Sequence, residues 1–66
     1  MKAIVIKKIS YGKVSSLLFS DPSFSLPSIV EFNFDSAYLF YNSFESISAV
    51  SSRLYSVGIL HRVIFK

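Results

Sequence analysis

Cysteine and tryptophan are absent from this 66-residue chain, and histidine occurs once, at His61. Without thiols there is no disulfide framework and no thiolate zinc site, and one imidazole with no second ligand at motif spacing makes neither a metal centre nor an oriented general base. Glycine is limited to Gly12 and Gly58, and proline to Pro22 and Pro27. Two isolated glycines form no phosphate-cradling loop and no Gly-x-Ser-x-Gly elbow, so the fourteen serines read as neutral surface. The longest charge-free runs, Pro22 to Val30 and Ser36 to Phe44, have nine residues each, far below the roughly 20 that span a bilayer. Ala3 to Ile6 is the only apolar run before two lysines, too short for the core of a secretion signal. The expectation is therefore a non-enzymatic protein without metal or cofactor and without a membrane partner. The lack of cysteine fits a reducing interior and a cytoplasmic location.

Hydrophobic residues make up 52% of the chain, yet a chain this short buries only about 60% of the surface its unfolded form exposes. One domain, residues 1–66, with a thin stability margin follows. Small domains commonly add disulfides, a metal or a second subunit; composition removes the first two, leaving association.

The pattern along the chain predicts an α+β fold, a small, mostly antiparallel sheet of four to five strands with one helix on one face, in the order ββββαβ. Lys2 to Ile9 is β-branched and apolar on both sides, which suits an interior strand. Gly12 suits a tight hairpin, so Val14 to Ser20 is expected to return as a second strand. Asp21 to Ser28 holds both prolines and reads as a loop. Ile29 to Phe34 alternates, with Val30, Phe32 and Phe34 on one face and Glu31 and Asn33 on the other. Ala37 to Tyr41 reads as a fourth strand, with a longer helix capped by Asp35 as its alternative. Asn42 with Glu45 resembles a capping box. The helix that follows carries a stripe of Phe44, Ile47, Val50, Leu54 and Val57, and Gly58 is placed to end it. Ile59 to Lys66 closes the chain as a strand beside the first. One helix covers one face, leaving an apolar face drawn from Ile4, Ile6, Leu60, Ile64 and the second strand exposed. Phe32, Phe34, Phe44 and Phe65 are expected in the core, and Phe24, Tyr11 and Tyr55 at the surface.

Charge is sorted along the chain. Asp21, Glu31, Asp35 and Glu45 occupy the middle, whereas Lys2, Lys7, Lys8, Lys13, Arg53, Arg62 and Lys66 lie outside it. If the ends of the chain meet, they form one positive surface opposed to a negative one. Glu31 and Asp35 as an acid pair, or His61 as a lone base, read better as a solvated face and a structural histidine. Chains of this size without catalytic groups are typical of phage and mobile-element products that block host machinery, including anti-CRISPR proteins. The leading expectation is thus an inhibitor or adaptor that occupies a surface of a larger complex, in the host cytoplasm if phage-encoded, with self-association into a homodimer as one version. The contact residues would be Lys7, Lys8, Tyr11, Lys13, Arg62 and Lys66, or the acidic strip Asp21, Glu31, Asp35 and Glu45. The alternative is a small basic protein that binds single-stranded nucleic acid through the lysines, Arg62 and Tyr11.

Overall fold

β-branched residues open the chain, and they place its first strand in the middle of the sheet. In the computed structural model, which describes residues 2–65, β1 (Lys2–Lys7) has Ala3, Ile4, Val5 and Ile6 all buried. It pairs antiparallel with β3 (Ser36–Tyr41) on one side and β4 (Arg62–Phe65) on the other, and β2 (Ile29–Asn33) completes the sheet beside β3. The order is β2-β3-β1-β4. First and last strands are neighbours, as the sequence predicts; Lys66 lies outside the described residues.

The expected second strand is a helix. After a single 3₁₀ turn, Lys8–Ser10, the chain forms α1 (Tyr11–Ser20). Tyr11, Val14 and Leu18 fall at spacings of three and four, and this stripe packs Val14 and Leu18 into the core with Tyr11 partly buried. As a strand the segment would mix serine and apolar residues on both faces, so helical burial is the better solution. The chain therefore reads βαββαβ, with α2 (Phe44–Ser56) as the second helix. β1 and β2 run parallel on either side of β3, and β3 and β4 run parallel on either side of β1, the split-βαβ topology. The two crossovers run in opposite directions, so a right-handed connection puts both helices on the same face. The core accordingly joins Ile4, Ile6, Ala37, Leu39 and Tyr41 of the sheet to Val14 and Leu18 of α1 and Ile47, Val50 and Leu54 of α2. The least dimension of the molecule, 18 Å, accommodates one sheet and one layer of helices about 10 Å across.

α2 begins one residue later than the expected cap. Ser43, not Asn42, is the N-cap, and its hydroxyl accepts the Ser46 N–H at 3.1 Å. Glu45 still lies in the first turn, beside the positive helix end. At the other end Ile59 N–H bonds the Leu54 carbonyl and Gly58 N–H bonds that of Tyr55, with Gly58 at φ 75°. This is a Schellman stop, closed by burial of Ile59 on Leu54. The two glycines should respond oppositely to alanine. Gly12 lies in the first turn of α1 with open space around an added Cβ, so Gly12→Ala is expected to stabilise by about 0.4–1 kcal/mol. Gly58→Ala forces a side chain into the left-handed region and is expected to destabilise by about 1–2 kcal/mol. Urea denaturation of both variants checks the pair of signs.

Four phenylalanines expected in the core are half or more exposed: Phe32, Phe34, Phe44 and Phe65. Phe34 falls in the hairpin turn rather than in β2. Phe44 and Phe65 stack on one another at 5.4 Å outside the main core, and Phe32 meets Tyr11 edge-on at 5.0 Å. Phe24 packs against the core instead of standing at the surface, while Tyr55 is exposed. Tyr41 is the phenol that the core does take. Its hydroxyl donates to the Ser25 carbonyl at 3.3 Å, and burial pushes its pKa up to about 12. Because the folded state holds this proton more tightly than the unfolded chain, with its ordinary value of about 10, stability is intact below about pH 10 and falls as pH rises toward 12. Tyr41→Phe is expected to remove that part of the alkaline decline in a pH series of thermal melts.

Candidate binding face

Alternation along the strands sorts the sheet into a covered and an uncovered face. Ile4, Ile6, Ala37, Leu39, Val30 and Val63 pack toward the helices. The opposite face then carries Ala3, Val5 and Lys7 of β1, Ser36, Tyr38 and Phe40 of β3, Ile29, Glu31 and Asn33 of β2, and Arg62 and Ile64 of β4. Ile4 and Ile6 are thus turned inward, contrary to expectation, and the smaller Ala3 and Val5 face outward. The helical stripes take the larger side chains, while the small ones lie opposite Phe40 and Tyr38 in the β1–β3 register. Ala3 and Val5 are 1% and 7% exposed with no helix over them, so their cover comes from the side chains of their own face.

The register arranges this face in rows across the sheet. Ile29, Phe40, Ala3 and Ile64 form the first, and Glu31, Tyr38, Val5 and Arg62 the second. Asn33, Ser36 and Lys7 form a third. Chemistry changes along this series from apolar, to aromatic with charged rims, to polar and basic. On the central strand Tyr38 and Phe40 lie with ring centroids 6.3 Å apart and planes within 18° of parallel. Adjacent flat rings with cations on the same surface are suited to stacking planar groups that carry negative charge on a linking backbone.

Not all of the expected contact residues belong here. Lys7 and Arg62 do, at the end of the sheet where β1 finishes and β4 begins. Lys8 sits past that end, with its ammonium 5.7 Å from the Phe32 ring centroid. Tyr11 and Lys13 are on α1, behind the sheet. The acids stand on four different elements. Glu31 is on the rim of the uncovered face and Asp35 is in the β2–β3 turn at the basic end, whereas Glu45 opens α2 at the opposite end. Asp21 caps the end of α1, where the hydroxyl of Ser23 at 2.7 Å and its N–H at 3.0 Å hold the carboxyl below its ordinary pKa. That carboxylate shapes a loop. His61 is structural: its Nδ1–H donates to the Ile59 carbonyl at 3.0 Å, which leaves Nε2 to accept the Ser51 hydroxyl at 2.7 Å. The ring ties α2 to the start of β4 and meets Tyr55 edge-on at 4.7 Å.

Among the described residues no group of three His, Cys, Asp or Glu is placed to hold a metal ion, and no helix is long and apolar enough to cross a membrane. Tyr38 and Phe40 are candidate site residues that neither charge nor motif spacing singles out. Their signal was present, since they alternate with Ala37, Leu39 and Tyr41, but a strand apolar on both sides does not say which face stays open. No protein-family model, curated protein or solved structure matches this chain.

Proposed function

We propose that this chain is a non-enzymatic binding module that holds single-stranded nucleic acid on the uncovered face of its sheet. The observation that carries the reading is the near-parallel pair Tyr38 and Phe40 on the central strand of a face no helix covers, with Lys7 and Arg62 on the same surface. Aromatic rings on a four-stranded sheet stack unpaired bases irrespective of sequence, and flanking cations take the phosphates. A formal net charge of +3 favours the same partner.

Fluorescence anisotropy with labelled single- and double-stranded oligonucleotides at two salt concentrations is the test. Single strands are expected to bind more tightly than duplex, with affinity falling as salt rises. Replacing Lys7 and Arg62 together by glutamine removes two phosphate partners and is expected to flatten the log–log salt dependence by about 1.4. Absence of salt-dependent binding at low salt would end this reading.

A protein partner on the same face is the second reading, and the exposed Ile29 beside Phe40 favours it. A second copy, or a larger complex blocked by this chain, would cover the apolar row first. Chromatography with mass detection separates the versions: a dimer broken by Ile29→Lys supports self-association, and a monomer that binds no oligonucleotide points to a different protein.

A further inference from the structure

At the tip of the β2–β3 hairpin an aromatic residue occupies a backbone position better suited to glycine. The turn consists of Phe34 and Asp35, enclosed by the paired Asn33 and Ser36. Phe34 has φ 56°, a left-handed conformation that a bulky side chain adopts only under strain and that glycine accepts freely in two-residue turns. The core gives nothing in return, because the residue is 93% exposed. The turn is also anchored: Lys8 N–H bonds the Asp35 carbonyl at 2.6 Å. An exposed, strained and fixed aromatic is a feature that stability alone does not explain.

Its position supplies the explanation. Phe40, Tyr38 and Ser36 follow one another at alternate positions along the open side of β3, and the turn that holds Phe34 lies past the end of this row. Lys7 is paired with Ser36 there, and Lys8 follows it. We infer that Phe34 is the terminal stacking contact of the nucleic-acid track, receiving a base of a single strand as it leaves the sheet beside Lys7. This rests on the function proposed above and adds to it a residue that favours unpaired strands, since a duplex cannot offer free base faces both to Tyr38 and Phe40 and to a ring at the tip. Asp35 is the acid beside this path, so Asp35→Asn is expected to tighten binding.

The test compares Phe34→Gly with Tyr38→Leu in the full chain, using a dinucleotide and a longer oligothymidylate. Phe34→Gly is expected to raise the melting temperature, because it relieves the turn, while weakening the longer oligonucleotide roughly tenfold and leaving the dinucleotide unchanged. Tyr38→Leu is expected to weaken both. If Tyr38→Leu weakens binding and Phe34→Gly does not, the terminal contact is overturned and the sheet face stands. If the unaltered chain binds neither oligonucleotide, the nucleic-acid function fails and this contact with it. A lower melting temperature for Phe34→Gly would refute the strain from which the inference starts.

Discussion

Leu54→Ala is expected to destabilise the fold by about 2–5 kcal/mol, the largest effect of any single change considered. Leu54 is fully buried between α2 and the sheet. Its carbonyl receives the Ile59 N–H that stops the helix, and Ile59 packs into the same core cluster. Truncation therefore leaves a cavity at a site whose neighbours are fixed by a helix end and a strand, with little freedom to collapse. A chain of 66 residues at roughly 0.05–0.15 kcal/mol per residue has only about 3–10 kcal/mol in total. At the lower end the variant is unfolded at room temperature. Urea denaturation followed by circular dichroism measures the loss, and a change below about 1 kcal/mol would show that α2 does not pack through this residue.

Tyr38→Leu combined with Phe40→Leu is expected to weaken single-strand binding by about 2–6 kcal/mol, from roughly 1–3 kcal/mol per stacked base. Leucine retains apolar cover over Ala3 and Val5, which lie opposite Tyr38 and Phe40 across the β1–β3 ladder at Val5↔Tyr38 and Ala3↔Phe40. Removal of the ring faces is thus separated from exposure of the sheet. A thermal melt is expected to remain cooperative while anisotropy reports the loss. Equal affinity in variant and parent would move the binding surface elsewhere, and loss of the cooperative melt would mean that the rings are structural.

How much of this was legible in the sequence depends on how many faces each segment buries. β2 alternates, and its orientation could be read directly: Val30 packs inward while Glu31 points out. α2 has one stripe, and Ile47, Val50 and Leu54 were readable as core. Its ends were not equally clear, because Asn42 and Ser43 are both good caps and only backbone geometry selects between them; Phe44 and Val57, at the ends of the stripe, remain exposed. The strand expected in place of α1 is an error with a physical source: Gly12 suits both a hairpin turn and an exposed first helical turn, and the stripe of Tyr11, Val14 and Leu18 is only about two turns long. That error carried into the site. With one helix predicted in place of two, the choice between Ile4 with Ile6 and Ala3 with Val5 as the inner row had no basis, and Tyr38 and Phe40 could not be assigned to the open side. The existence of an uncovered apolar face survived the error, since β1, β3 and β4 carry apolar residues on both sides and all helical cover lies on one.

A titration of the isotopically labelled protein with a short single-stranded oligonucleotide, followed by backbone amide chemical shifts at low salt, tests the central claim most directly. The expected shifts concentrate on Ala3, Val5, Tyr38, Phe40 and Ile64, extend to Phe34, and leave the buried residues of α2 unmoved. Shifts confined to α1 and α2, or none at all, would contradict the assignment of the open sheet face to nucleic acid.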